Sequence, residues 1–176
     1  MRAMWIISPI AAIGLLAGGD SRGQTPTVSV ETEYLATVEL PLEPAQLASS
    51  RVIVNVPAGG TVRGPKINGT FVAPTGDWLT AMPDGSLRLD ARLTIKTDDG
   101  EFILVAYSGV IARSKEVIDR FNNGEVITSK DEFFITVPQF TTGSKKYDWL
   151  NHIQAVGKMI STQRGVNIKY DWFIIR

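Results

Sequence analysis

Cysteine is absent from the 176-residue chain, and histidine occurs once. The first absence removes disulfide staples, thiolate nucleophiles and zinc sites built on sulfur, and the second removes any site that needs two imidazoles. No metal site is therefore expected. Net charge is missing as well, because 18 Lys plus Arg offset 18 Asp plus Glu. Without a basic excess there is no field to displace counterions from nucleic acid or to hold an anionic membrane, so neither is expected as a partner. Repeats of fixed period, coiled-coil heptads and low-complexity tracts are lacking too. What is present is 44% hydrophobic and 20% charged residues, which is enough apolar side chain for one packed domain.

The longest apolar run lies at the start. Met1 and Arg2 precede residues 3–19, which are apolar apart from Ser8 and contain Pro9, and polar, turn-rich residues 20–26 follow. One basic residue, a short apolar stretch and small residues at Ala17 and Gly19 make the layout of a secretory signal, with Ser21 and Gly23 as a second cleavage choice. A spanning helix wants about 20 apolar residues, whereas this run holds Pro9 and Gly14 and has no basic stop behind it. The expected organisation is a signal peptide at residues 1–19, a connecting segment at 20–32 and one folded domain at 33–176. The protein is expected to be secreted, periplasmic or vesicular, with no stable membrane anchor after cleavage. Asn68-Gly69-Thr70 is a glycosylation sequon, relevant only in a eukaryotic host.

Beyond the leader, alternation with period two dominates. Leu87, Leu89, Ala91, Leu93 and Ile95 occupy one face of a strand, and Arg88, Asp90, Arg92, Thr94 and Lys96 the other. Thr97-Asp98-Asp99-Gly100 then supplies a hairpin turn, and residues 101–112 return as a strand apolar on both faces. Such a strand needs a cover on each side, from a helix or a second subunit, so a homo-oligomer is left open. Further strands are expected at 27–40, 51–56, 67–74, 133–140, 152–161 and 166–175. Residues 74–77 and 82–85 read as turns bracketing a short Trp78-Leu79-Thr80 segment. Ser114 is placed to cap a helix through Phe121, and residues 143–150 could add a helical turn. The fold class is therefore all-β: a single antiparallel barrel of about eight strands with one or two short helices, because closure disposes of exposed edges.

Motif matches are few. Gly19-Asp20-Ser21-Arg22-Gly23 has the letters of a nucleophile elbow but lies at the leader's end rather than between a buried strand and a helix. Residues 60–64 are glycine-bearing but lack the G-K-[ST] of a phosphate loop. His152 reads as a surface residue at a strand start. More chemistry lies in Asp77, Asp90, Arg92, Tyr107, Trp149, Lys169 and Tyr170. Asp90 and Arg92 share a strand face at a spacing of about 7 Å, so both point into one cavity or both into water. In a cavity, Asp90 would move a proton while Tyr107 or Tyr170 offers a phenol to a developing oxyanion. An eight-stranded barrel is wide enough to be filled or to hold one small ligand, and the aromatic residues of loops and last third suit an apolar one.

Several blocks occur in one order: residues 60–65, Gly69, Gly76-Asp77-Trp78, Asp84-Gly85, residues 89–92, residues 97–100, Phe140, residues 147–151, Val156-Gly157 and Lys169-Tyr170-Asp171. Over roughly residues 33–175 this pattern resembles the domain of unknown function 3237 family. The resemblance implies a compact barrel of the allene oxide cyclase and dirigent type. It also implies that Asp77, Trp78, Asp90, Arg92, Trp149 and Asn151 are pocket residues. The expected function is binding of a small apolar or aromatic metabolite, with isomerisation or cyclisation that uses no cofactor. Asp90, Tyr107 and Tyr170 would be the catalytic groups. Holding a reactive conformer in a dry cavity can by itself supply several kcal/mol. The rival expectation is a non-catalytic carrier using the same cavity.

Overall fold

A computed structural model of the chain describes residues 28–49, 51–54 and 56–176. The expected signal peptide and the serine pentapeptide at its end lie outside the described residues. Among the described residues eleven strands follow in order: β1 (Thr32–Pro41), β2 (Gln46–Ala48), β3 (Arg51–Val54), β4 (Thr61–Arg63), β5 (Asn68–Ala81), β6 (Leu87–Thr97), β7 (Phe102–Ala112), β8 (Ile127–Thr128), β9 (Phe133–Thr141), β10 (Ala155–Gln163) and β11 (Asn167–Ile175). One α-helix, α1 (Lys115–Asn122), joins β7 to β8, and a 3-10 turn spans Asp148–His152.

Eight of these strands close on themselves. Antiparallel pairing runs β1–β4–β5–β6–β7–β9–β10–β11 and returns to β1, so the protein is an all-β, eight-stranded closed barrel with one helix. The driving pattern is the alternation itself. Leu89, Ala91, Leu93 and Ile95 of β6 are all under 5% exposed, while Arg88, Asp90, Arg92 and Lys96 between them are exposed. Each fully buried Leu or Ile contributes roughly 1.5–3 kcal/mol, so a one-residue slip of register would reverse every such gain. The β6–β7 turn closes on Gly100, whose φ of 93° suits glycine alone among common residues. At α1, Ser114 accepts a hydrogen bond from the Val117 N–H at 3.3 Å, which satisfies one of the orphan donors of the first turn.

The two ends of the barrel differ. At one end Phe71, Ile95, Ile103, Phe140, Trp172 and Ile174 fill the interior, and Leu150 of the 3-10 turn is fully buried against them. The Thr136 hydroxyl and the Trp172 ring close on β10 where residue 157 is glycine: a Cβ there would collide with Thr136 Oγ1 and stand 2.8 Å from Trp172 Cδ1. At the other end closure is incomplete. Strand β4 bridges β1 and the first part of β5, through Thr37–Glu39 and Asn68–Thr70 respectively. The second part of β5 pairs instead with β3, at Asp77–Thr80, and among the described residues β3 pairs with no strand of the barrel other than β5. A seam therefore opens between β1 and β3.

Two local expectations change. Residues 74–77 are not a turn: β5 runs through them as one 14-residue strand, with a bulge between Val72 and Gly76. The bulge absorbs Pro74, which has no N–H to give a ladder. His152 ends the 3-10 turn rather than starting a strand, and β10 begins three residues later. The last third forms three nine-residue strands, β9, β10 and β11, as its alternation predicts.

Candidate functional site

The open end holds a cavity of about 150 Å³. Its walls come from both sides of the seam, with Leu40 and Leu42 on one side and Val52 and Val54 on the other, and from Leu79, Leu89, Ile111 and Phe134 deeper in. A cavity near that size with aliphatic and aromatic walls accommodates a single small ring. Asp77, Tyr107 and Tyr170 are among the polar side chains on these walls, together with Glu43, Arg113, Thr162 and Arg164.

Register explains why they meet. Asp77, Ala91 and Tyr107 lie side by side on β5, β6 and β7, all facing inward. The methyl group of Ala91 leaves the space above it free, so the Tyr107 hydroxyl reaches across and donates to Asp77 Oδ2 at 3.3 Å. Asp77 Oδ1 has no hydrogen-bond partner, although the residue is only 6% exposed. A buried carboxylate oxygen left without a donor is costly. Burial accordingly pushes the Asp77 carboxyl up from 3.8 to about 6, against the opposing pull of the Tyr107 hydrogen bond and of the nearby main-chain N–H groups of Asp90 and Trp78. Burial, reinforced by the nearby Asp77 charge, also holds the phenols of Tyr107 and Tyr170 well above their ordinary value, so both remain proton donors. Tyr170 is fixed edge-on between the rings of Tyr107 and Phe134, at centroid distances of 6.4 and 5.6 Å.

A second buried polar pair flanks the cavity. Arg113, on the wall, meets Glu132 with Nε 2.6 Å from Oε2, and its NH2 group donates to Oε1 at 3.3 Å. The two side chains are 8% and 0% exposed. Phe121 of α1 lies under the guanidinium, 4.6 Å from its carbon to the ring centroid. Burial raises the Glu132 carboxyl while the Arg113 charge opposes the rise, and burial lowers Arg113. The motif scan missed this pair. Inward parity could have found it, since 113 continues the series 103, 105, 107 and 111, and 132 continues 134 and 136.

The expected site residues divide into three places. Asp77, Tyr107 and Tyr170 come together in the cavity. Asp90 and Arg92 do not join them. They form an ion pair at 2.5 Å on the outer wall, with side chains 52% and 62% exposed, because the inward positions of β6 belong to its aliphatic residues. Interior placement of that pair is thus overturned; the buried carboxyl in the cavity is Asp77 of β5, and Arg113, just past β7, brings a buried guanidinium to its wall. Trp78 also faces outward, over Gly76, as its neighbour Asp77 faces in. Trp149 and Asn151 belong to the packed end. Trp149 packs against the core with the Lys66 ammonium 5.8 Å from its ring, and the Asn151 side chain holds the main chain of Thr142 through two hydrogen bonds of 2.9 Å. Among the described residues, no cluster of three or more metal-ligating side chains occurs.

Similar proteins place this geometry in context. A UPF0311 protein of Clostridium acetobutylicum is 36% identical over 95 residues, an alignment that covers 53% of this chain and 60% of that protein. A UPF0311 protein of Rhodopseudomonas palustris is 30% identical over 136 residues, covering 74% of this chain and 88% of the relative. The crystal structure of a conserved protein of unknown function from that organism superposes with a TM-score of 0.79 at 26% identity, over 87% of this chain and all of the other. A protein of Penicillium herquei named as a hydroalkoxylation enzyme is 30% identical over 162 residues, 89% of each chain. The family DUF3237, described as a protein of unknown function, matches residues 30–174. The chain therefore belongs to the DUF3237 family of β-barrel proteins.

Proposed function

We propose that the open end of the barrel binds a small, largely apolar metabolite and isomerises or cyclises it by proton transfer. The observation that carries this reading is Asp77: a buried carboxyl with one unpaired oxygen, set beside a phenol in an apolar cavity. A group shifted to about 6 exists in both protonation states near neutrality, which is what a residue that takes a proton and returns it requires. The name of the fungal relative supports one such reaction, addition of a hydroxyl group across a carbon–carbon double bond.

In that reaction the Asp77 carboxylate accepts the proton of a substrate hydroxyl, and the oxygen's electron pair forms a bond to the near end of a polarised alkene. The alkene's pair moves onto an adjacent carbonyl oxygen, where the phenols of Tyr107 and Tyr170 are the donors available to stabilise it. The Asp77 carboxyl then returns its proton to carbon, and the net change is ring closure without gain or loss of atoms. Asp77 thus takes the part expected of Asp90. Export through a leader would put this chemistry outside the cytoplasm.

The test is a panel of hydroxy-enones, single-ring members first, followed by loss of enone absorbance and chromatography of the isomer formed. Turnover abolished in Asp77→Asn with ligand affinity retained supports the proposal, and an unchanged rate in the variant overturns it. Saturable binding by the panel without turnover of any member would assign the carrier function instead, which the apolar walls alone can serve.

A further inference from the structure

The outer wall made by β5, β6, β7 and β9 is unlike the β1–β11 wall. There, outward residues pair as Glu39 with Lys169 at 3.1 Å and Thr37 with Asp171 at 2.6 Å. On the β5–β9 wall, large apolar side chains face solvent: Phe102 is 56% exposed, Leu104 55%, Phe133 55% and Val137 38%. Small residues lie at the middle of the wall, where Ser108 and Ala106 of β7 stand beside Asp90 and Arg92 of β6. Phe102 and Leu104 stand at one end of this wall and Phe133 at the other, with the Asp90–Arg92 pair between them, and large exposed apolar groups gathered on one face mark an interaction surface.

Its pattern is self-complementary. Consider a two-fold axis lying across the strands at the level of Ala91 and Tyr107, which are register partners. Each strand then faces its own copy in reverse. Asp90 meets the Arg92 of the second copy and Arg92 meets its Asp90, while Arg88 faces the position of Thr94, which is buried and places no like charge against it. On β7 the same operation sets Leu104 against Val110 and Ala106 against Ser108. Opposite charges meet on one strand, and Leu104 meets Val110 on the next, which is the pattern an isologous contact demands. The wall is also large enough. Strands β6 and β7 span 11 residues each, and four strands at about 4.8 Å spacing give a face of about 36 by 19 Å, or about 700 Å². A standard interface covers about 800 Å² per partner.

We propose that this wall is the contact face of a homodimer, with the Asp90–Arg92 pair matched to its two-fold copy across the axis. The cavity opens at the β1–β3 seam and stays free, so the dimer and the proposed chemistry stand or fall separately.

The test is sedimentation equilibrium on the wild-type chain and on charge variants. Asp90→Arg leaves two positive groups on the face, and Arg92→Asp leaves two negative ones. Each variant alone should dissociate at least tenfold more readily than wild type, and an equimolar mixture of the two should reassociate as a heterodimer. Both positions are exposed, so the fold is preserved, and Leu104→Glu provides a second disruption through the apolar rows. Val126→Glu, at an exposed apolar residue outside this wall, should leave the dimer intact. A monomeric wild type, a dimer that survives all three face variants, or a mixture that fails to reassociate would overturn the proposal.

Discussion

Replacing Asp77 by Asn should make the protein more stable at alkaline pH, and the effect can be sized from the cavity. In the unfolded chain the carboxyl releases its proton near 3.8, whereas in the folded protein it does so at about 6. Between those values the native state holds a proton that the unfolded state has lost, so stability falls as pH rises through this window. Once the pH exceeds both values the loss is complete, at about 3 kcal/mol. Asn cannot ionise and escapes that penalty. At pH 4 the neutral acid and the amide should differ little, and at pH 8 the variant should be about 2–3 kcal/mol more stable. The raised carboxyl of Glu132 is common to both proteins and cancels in the difference. Urea denaturation at pH 4, 6 and 8, read by tryptophan fluorescence, measures the quantity directly. A difference that does not vary with pH, or a variant less stable than wild type at pH 8, would show that Asp77 carries no desolvation penalty and would remove the physical basis for its role.

Other consequences are equally direct. Turnover of a hydroxy-enone substrate should rise with pH through about 6, since the ionised carboxyl takes the first proton; a profile flat from pH 5 to 8 would contradict this. Arg113→Met should cost about 3–5 kcal/mol at neutral pH by leaving Glu132 buried without its partner, and part of that loss should be recovered on acidification as Glu132 protonates. Gly157→Ala should lower stability by about 1–3 kcal/mol, because the new methyl group collides with the Thr136 hydroxyl and the Trp172 ring; thermal denaturation will show it. Leu79→Trp should fill the cavity and abolish saturable binding of a small aromatic probe such as toluene while the barrel still folds, and undiminished binding would place the ligand elsewhere.

The barrel is readable from the chain because period-two alternation is strong wherever the two faces of a strand meet different surroundings. Strand β6 is the clearest case: its aliphatic and charged residues separate without exception until Thr94, which is buried because it donates to the Pro74 carbonyl at 3.0 Å. The same alternation, followed strictly, would have kept Asp90 and Arg92 outside. Their paired charges and the family resemblance pointed to chemistry, but the inward side of β6 was already occupied by leucine, alanine and isoleucine. Asp77 was harder to place. Proline and glycine just before it read as a turn, whereas the bulge lets β5 pass through both and sets the parity of everything after it. The meeting of Asp77, Tyr107 and Tyr170 depends on barrel closure, which joins residues far apart in sequence and leaves no local trace. Arg113 and Glu132 lie at strand ends, where alternation is least trusted.

The seam beside β3 divides the labour within one small molecule. The aromatic plug and the continuous ladder at the far end carry cohesion, while the segment bearing Leu42, Val52 and Val54 shapes the entrance without completing the ring. Selection can therefore rewrite what the doorway admits, by exchanging that segment alone, and leave the foundations of the building untouched.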